Sequence, residues 1–182
     1  MPLPWQRVQV ALVDERWLGV DQTGSNEKFI TDCLLQDRAA KAQLTGMKTP
    51  DASAAAGLAA CEQRYQALPR PFDLTLLGMG PDGHTASLFP GAQGLTTALN
   101  REQTSLCSAI NAKPTEVTGA LTERMSLSLR GLLQSRQLLL LITGEDKLAV
   151  LRQAQAQLDP KRLPISALLH QNAVPLNIYW AP

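Results

Sequence analysis

The stretch from Asp73 to Gly91, DLTLLGMGPDGHTASLFPG, joins an apolar run to a turn that is rich in glycine. The run from Leu74 to Leu77 consists mostly of large aliphatic side chains, which predicts a strand that is buried on both faces of a sheet. Three glycines follow it, at Gly78, Gly80 and Gly83. Glycine adopts positive φ angles and permits close backbone approach, so the strand is predicted to end in a tight turn.

Two polar side chains, Asp82 and His84, lie inside this turn. Open α/β sheets bind their ligands beyond the carboxyl ends of their strands, which is where the turn would place both groups. An unperturbed imidazole has a pKa of about 6.5 and can therefore move protons near neutral pH. The pair predicts a functional site, although capping of the turn alone is an alternative. The second histidine, His170, is predicted to lie at the surface near a helix end.

Gly78 to Gly83 also satisfy the pattern GxGxxG, which binds dinucleotides when a helix begins inside the motif. The residues that follow include Pro90, Gly91 and Gly94, and these interrupt a helix within a few positions. The sequence therefore disfavours a dinucleotide site. No cofactor and no metal ion are expected.

The length and the 45% of hydrophobic residues fit one domain with a core, residues 1–182. The net charge of +1 gives no long-range field, so neither nucleic acid nor a membrane is expected as a partner, and any anion must be bound by local charges. Cys33, Cys61 and Cys107 lack CxxC spacing, which disfavours disulfides and structural zinc and favours a cytoplasmic location. No signal peptide and no apolar run of about 18 residues are present.

Strand patterns alternate with helical patterns along the chain. This order predicts an α/β fold with a mostly parallel, Rossmann-like sheet and helices on both faces. Strands are predicted at Arg7–Val13, Leu74–Leu77, Thr104–Ile110, Glu123–Leu129, Gln137–Thr143 and Val174–Trp180. A first helix is predicted to begin after a cap at Ser25 or Asn26. Its core-facing apolar stripe consists of Phe29, Ile30, Cys33, Leu34 and Leu35. Further helices are predicted at Asp51–Leu68, Glu145–Leu158 and Ile165–Leu169.

Charged residues follow the first predicted strand, at Asp14, Glu15 and Arg16. Because the carboxyl ends of parallel strands meet at one edge of a sheet, these residues are predicted to lie on the same rim as His84. A solvated loop of surface ion pairs is the alternative.

Lys147 falls in the first turn of the helix predicted to begin at Glu145. A cation there opposes the helix dipole unless an anion lies nearby. Free amides at a helix amino terminus together with a lysine form a phosphate site, which is our interpretation. A surface pairing of Lys147 with Glu145 is the alternative.

The segment from Leu76 to Gly91 resembles the signature of the 6-phosphogluconolactonases, a branch of the group that also contains the glucosamine-6-phosphate isomerases/deaminases. The isomerase branch follows its Asp-Gly-His with a segment that includes Phe-Asn-Glu-Pro, whose glutamate works with the histidine in ring opening. The corresponding stretch here, Leu88 to Gly91, carries no carboxylate. The resemblance therefore implies lactone hydrolysis.

Shorter segments resemble the same family. Asp14-Glu15-Arg16 is similar to its Gly-Asp-Glu-Arg, with Val13 in place of the glycine, and the segment from Thr143 to Lys147 is similar to its phosphate-contacting Thr-Gly-x-x-Lys. Glu123–Leu129 looks like the family's Arg-[Ile/Val]-Thr-Leu-Thr and Lys113-Pro114 like part of its Ser-Pro-Lys-Pro-Pro. The family's Ser-Gly-Gly-x-Thr-Pro loop has no counterpart, so the resemblance implies an N-terminally shortened chain with weaker phosphate binding.

By this resemblance the chain is expected to hydrolyse 6-phospho-D-glucono-1,5-lactone to 6-phosphogluconate in the oxidative pentose phosphate pathway. His84 and Asp82 are the expected catalytic residues, and amides of the Gly78–Gly83 turn are expected to stabilise the oxyanion. The expected substrate-binding residues are Asp14, Glu15, Arg16, Gly78, Gly80, Gly83, Arg124 and Lys147. For Arg124 a salt bridge at the rim is the alternative.

Two further functions stay open at this point. A glucosamine-6-phosphate isomerase/deaminase could use the Asp14 carboxylate to shuttle a proton between carbons. A sugar-phosphate-binding domain without catalysis is also possible, although no helix-turn-helix segment or basic patch accompanies the chain.

Overall fold

The computed structural model describes residues 3–182, so Met1 and Pro2 of the predicted domain lie outside the described residues. The strands are β1 (Gln9–Ala11), β2 (Asp14–Arg16), β3 (Gln43–Thr45), β4 (Thr75–Gly78), β5 (Cys107–Asn111), β6 (Glu123–Leu127), β7 (Leu138–Thr143) and β8 (Leu176–Ala181). The helices are α1 (Asn26–Cys33), α2 (Ala54–Gln66), α3 (Leu95–Leu99), α4 (Leu129–Leu132), α5 (Glu145–Ala156) and α6 (Ser166–Leu169). None of these helices is long and apolar enough to cross a membrane.

The strands form three small sheets within the described residues. β1 pairs with β3 in parallel, and β4, β7 and β8 form a parallel sheet in that order. The third sheet, β2-β6-β5, is antiparallel. The predicted α/β class with mainly parallel strands is confirmed. The antiparallel sheet was not predicted, because Asp14, Glu15 and Arg16 have the composition of a loop and yet form strand β2.

The burial of the strands differs from its prediction in two places. β4 and β7 are buried on one face only: Leu77 is 2% exposed, whereas Leu76 is 53% and Leu141 47% exposed. Their inner residues pack into the core, and their outer residues face solvent. β6 was predicted to be half-buried, but it is the central strand of its sheet and is buried from Arg124 to Leu127.

Helix α2 is confirmed as a core helix, with Gly57, Cys61 and Tyr65 buried. Helix α1 contradicts the predicted core-facing stripe, since none of its residues is buried and Phe29 is 63% exposed. Ile30 is half-buried against the core, but Phe29, Cys33 and Leu34 are exposed, and α1 is held mainly at its amino terminus. Ser25 is the predicted cap there and accepts a hydrogen bond from the Lys28 amide.

Helices α5 and α6 occupy their predicted segments. His170 directly follows α6, is exposed as predicted, and hydrogen-bonds through Nε2 to the Ala154 carbonyl at 2.9 Å. The three cysteines are free thiols: Cys33 is exposed, while Cys61 and Cys107 are buried with their sulfurs 3.7 Å apart.

Candidate active site

A cleft of about 520 Å³ opens where strands β4 and β7 end, against one face of the β2–β6 pair. Parallel strands that end side by side leave such a crevice at their carboxyl edge. Seven of the residues expected at a site line this cleft: Asp14, Arg16, Gly78, Gly80, His84, Arg124 and Lys147. Four separate segments of the chain supply them.

The His84 ring is held on two sides. Its Nδ1 lies 2.5 Å from Oδ1 of Asp82, and its centroid lies 4.2 Å from that of Phe89 at an interplanar angle of 35°. The ring also lies directly against the backbone at Gly80, where any Cβ would collide with it. The glycine that the motif places there is therefore required by the position of the imidazole.

Asp82 determines which nitrogen of the neutral His84 ring carries the proton. Burial pushes the Asp82 pKa upward, but the hydrogen bond with His84 and the charge of that ring outweigh burial, so the pKa lies below its ordinary value. An ionised carboxylate only accepts hydrogen bonds, so Nδ1 must carry the proton. The neutral ring then has its lone pair on Nε2, which has no hydrogen-bond partner among residues 3–182. The His84 side chain is 19% exposed and lines the cleft, so the neutral ring can serve as a base there.

Two arginines lie opposite each other in the β2–β6 register, Arg16 facing Arg124. Arg16 donates to the Gly24 carbonyl at 2.7 Å and to Oδ1 of Asn26 at 2.9 Å. Like charges in directly opposed positions are unfavourable, and both side chains line the same cleft. An anion bound in the cleft would relieve this repulsion.

Arg124 is buried, at 4% exposure, and its guanidinium donates to the carbonyls of Leu121 and Thr118 at 2.8 and 3.2 Å. Burial and the neighbouring Arg16 both lower its pKa. The alternative of a rim salt bridge is wrong, because no carboxylate of the described chain lies within salt-bridge distance. Its neutral partners leave the positive charge available to a ligand.

Lys147 lies in the first turn of α5, next to Thr143 on the wall of the cleft. The alternative of a pairing with Glu145 is wrong, as Lys147 forms no ion pair within the described part of the chain. The helix has 12 residues, and free amides at the amino terminus of such a helix together with a lysine form a site that can bind an anion. Lys113, by contrast, is exposed and does not line the cleft.

Asp14 brings a carboxylate into the same cleft. Its Oδ2 accepts a 2.6 Å hydrogen bond from Ser87, and its Oδ1 lies 3.3 Å from Nδ2 of Asn26. Burial raises the Asp14 pKa, and the Ser87 hydrogen bond and the charges of Arg124 and Arg16 oppose that rise.

Three of the expected site residues take other places. Glu15 is fully buried and accepts hydrogen bonds from the Arg16 amide at 2.8 Å, from the Ser25 hydroxyl at 3.0 Å and from the first two amides of α1 at 2.7 and 2.8 Å. It anchors α1 to β2 behind the cleft and has no surface toward a ligand. Asp82 likewise does not line the cleft and contacts His84 instead.

Gly83 also lies outside the cleft, packed against Leu163, and its φ of +75° explains the choice of glycine. Its amide donates to the Gly80 carbonyl at 3.0 Å, and the Gly80 amide donates to the His84 carbonyl at 2.9 Å. These two amides are therefore engaged within the turn, which contradicts their expected role at an oxyanion. A dinucleotide site would need a helix that begins within the Gly78–Gly83 motif. The next helix starts only at Leu95, so the structure also disfavours that interpretation.

Sequence reasoning missed Ser87 and Phe89, although both lie inside the quoted signature. Each contacts a site residue: Ser87 bonds to Asp14, and Phe89 stacks on His84. The Arg124 guanidinium lies 5.4 Å from the Phe89 centroid. A buried hydroxyl and an aromatic ring look like core residues in a sequence, so only the three-dimensional contacts assign them to the site.

The sequence of this chain is similar to those of known proteins of one family. The family model described as glucosamine-6-phosphate isomerases/6-phosphogluconolactonase matches residues 1–180. A 6-phosphogluconolactonase from Pseudomonas aeruginosa is 38% identical over 181 residues, which are 100% of this chain and 73% of that protein. One from Rhizobium meliloti is 39% identical over 180 residues, covering 99% of this chain and 75% of that protein.

Solved structures give the same result. The crystal structure of a 6-phosphogluconolactonase from Shewanella baltica superposes with a TM-score of 0.92 at 39% identity, covering 100% of this chain and 75% of that one. A monomeric glucosamine-6-phosphate deaminase shares the fold alone, with a TM-score of 0.70 at 20% identity, over 96% of this chain and 73% of its own. The chain belongs to the glucosamine-6-phosphate isomerase/6-phosphogluconolactonase family.

Proposed function

We propose that this chain hydrolyses 6-phospho-D-glucono-1,5-lactone to 6-phosphogluconate, a step of the oxidative pentose phosphate pathway. The observation that carries the proposal is the Asp82–His84 pair, whose imidazole lines a cleft together with three cations. The relatives named above are 6-phosphogluconolactonases, and residues 88–91 carry no carboxylate. We propose one lactonase domain that acts in the cytoplasm, without nucleic acid as a partner.

His84 is the general base of the proposed mechanism. Its Nε2 takes a proton from a water molecule as the water oxygen attacks the lactone carbonyl carbon, and the carbonyl oxygen becomes an oxyanion. When the tetrahedral intermediate collapses, the bond to the ring oxygen breaks, and the protonated ring returns its proton to that oxygen. The product is the open-chain acid, and the imidazole is neutral again. Asp82 holds the ring and stabilises its transient positive charge.

The charges of the cleft match a phosphate group. Arg16, Arg124 and Lys147 with an ionised Asp14 give a net charge of +2, the complement of a dianionic phosphate monoester. Binding of the phosphate far from the reacting carbon positions the carbonyl over His84, which lowers the entropic part of the barrier. A Cβ at Gly78 would have no atom within 4 Å, so the backbone at Gly78 borders open space that a ligand can occupy.

A second candidate is the glucosamine-6-phosphate isomerase/deaminase reaction. The observation that favours it is Asp14, a carboxylate with a raised pKa inside the cleft. That reaction needs a carboxylate to move a proton between two carbons, and the segment after His84 supplies none. Release of ammonia from glucosamine 6-phosphate would identify this activity, and release of acid from 6-phosphogluconolactone identifies the proposed one. Binding of either sugar phosphate without turnover would indicate a sensing domain.

The proposal is tested by the rate of acid release from freshly prepared 6-phosphogluconolactone, corrected for spontaneous hydrolysis. His84→Asn removes the base, and we expect kcat to fall by about 10²–10⁴-fold. His170→Asn is the matched control, because it removes the other histidine, which is exposed and outside the cleft, and kcat should be unchanged. Equal rates for wild type and His84→Asn would refute the mechanism.

A further inference from the structure

Asp14 presents a physical conflict, since it places a carboxylate in a cleft that is otherwise built for an anion. Burial raises the Asp14 pKa despite the opposing charges of Arg124 and Arg16, so the charge of its carboxylate is not fully compensated. A carboxylate at this place repels a phosphate and is favourable only where it meets hydrogen-bond donors. The proposed substrate carries such donors on its ring, as hydroxyl groups.

Building on the proposed function, we propose that Asp14 determines specificity by accepting a hydrogen bond from a ring hydroxyl of the lactone, and that Ser87 positions it for this contact. The phosphate would then bind the cations and the hydroxyl would bind the carboxylate. These two opposite interactions would fix the direction in which the sugar lies across the cleft. Asp14 would also reject ligands that lack the hydroxyl.

The contacts of Asp14 leave it free for such a bond. An ionised carboxylate has about four acceptor positions. Ser87 occupies one on Oδ2 at 2.6 Å, and Asn26 approaches one on Oδ1 at 3.3 Å. Acceptor positions therefore remain on a side chain that lines the cleft.

Ser87 is built to hold the carboxylate still. It is fully buried, and its amide donates to Oγ of Ser126 at 3.2 Å. Ser126 lies directly opposite Asp14 in the β2–β6 register. The preceding residue, Ala86, has a φ of +49°, a conformation that is strained for a side chain other than glycine and is found where function requires it. The loop that carries His84 is thereby tied to the strand that carries Asp14.

The direct test measures kcat/KM for 6-phosphogluconolactone and for its monodeoxy analogues at C2, C3 and C4. In the wild type we expect one analogue to react at least about 10-fold more slowly, because a site that hydrogen-bonds a hydroxyl discriminates against its absence. In Asp14→Ala the discrimination against that analogue should fall toward one, while the other two ratios stay the same. Two results would overturn the proposal. The kcat/KM ratios could stay unchanged in Asp14→Ala, or the discrimination against all three analogues could fall equally, which would mean that Asp14 acts through its charge and not through one hydroxyl.

The positioning role of Ser87 is tested with the same substrates. Ser87→Ala should reduce discrimination against the same analogue and against no other. Ser166→Ala is the matched control: Ser166 is also fully buried and accepts a hydrogen bond from the Asp159 amide at 3.1 Å, but it lies outside the cleft. For Ser166→Ala, the kcat/KM ratios between the lactone and its three monodeoxy analogues should equal those of the wild type. Wild-type ratios in Ser87→Ala would show that Ser87 does not position Asp14.

A measurement without turnover separates this inference from the proposed function. Calorimetry gives Kd for 6-phosphogluconate and its monodeoxy forms with wild type and Asp14→Ala. We expect one hydroxyl to strengthen binding to the wild type only. If the wild type fails to hydrolyse the lactone, the proposed function fails; if it hydrolyses the lactone but neither assay shows a hydroxyl that depends on Asp14, only the present inference fails.

Discussion

At the residue scale, the site contains contacts between side chains that are close together in the sequence and contacts between side chains that are distant in the sequence. Asp82 and His84 are two residues apart, so the sequence alone was sufficient to predict their contact. Ser87 and Asp14 are 73 residues apart, and no local pattern indicates that they meet. The motif thus identified the Asp82–His84 pair, whereas the contact between Ser87 and the Asp14 carboxylate could be recognised only from the fold.

The Asp82–His84 pair has a consequence for stability as well as for activity. Because the folded-state pKa of Asp82 lies below its ordinary value of 3.8, its contribution to stability is present above that value and is lost as the pH falls through the lowered pKa. Asp82→Asn should therefore lower the free energy of unfolding by about 1 kcal/mol at pH 7 and by progressively less as the pH falls below 3.8. It should also lower kcat by about 10–100-fold, because the imidazolium loses its counter-charge.

Urea denaturation of wild type and Asp82→Asn at several pH values checks the stability, and the lactone assay at pH 7 checks kcat. Asp73→Asn is a suitable control, since the Asp73 side chain is 97% exposed and pairs only with Arg136 at the surface. A stability difference that persists unchanged at low pH would show that Asp82 does not act through its charge.

At the element scale, the main error of the sequence prediction is strand β2. Asp14, Glu15 and Arg16 look like a solvated loop because three charged residues stand in a row. Their pairing with β6 depends on residues 124–126, more than a hundred positions away, and propensity does not contain that information. The period of two in a strand then directs Asp14 and Arg16 toward the cleft and Glu15 away from it. The same local reasoning succeeded for α2, whose buried face follows from its own periodicity, and for α5, whose first turn carries Glu145 and Asp146 as predicted.

Glu15 connects β2 to α1, and its substitution tests this connection. Glu15→Gln replaces one accepting oxygen with a donor that faces other donors, so we expect the free energy of unfolding to fall by about 2 kcal/mol. Because Arg16 and Asn26 are held by the same junction, KM for the lactone should rise as well. Urea unfolding and steady-state kinetics measure these two effects.

Glu116→Gln is the control for this prediction, since Glu116 is exposed and its side chain lies outside the cleft. It should change neither stability nor KM. Wild-type stability in Glu15→Gln would mean that the capping of α1 does not require the charge of the buried carboxylate.

At the scale of the whole molecule, the α/β class with parallel strands follows from the alternation of strand and helix patterns. The division into three sheets does not, because strand order is a non-local property. Leu76 and Leu141 illustrate the same limit: their sequence is that of a buried strand, but burial depends on what packs above them. The net charge of +1 likewise conceals the local excess of positive charge in the cleft.

The three cysteines differ in their exposure, and this difference can report on the unfolding of the entire chain. Cys33 is exposed to solvent, whereas Cys61 and Cys107 are buried. The hydrogen bond with Cys61, together with burial, raises the pKa of the Cys107 thiol. A thiol-specific chromogenic reagent should therefore modify one group per native molecule at once and the other two only as molecules open. The slow phase should accelerate in urea, and rapid modification of all three groups in buffer would contradict the sealed interior. The protein thus carries an intrinsic chemical reporter of its own global unfolding.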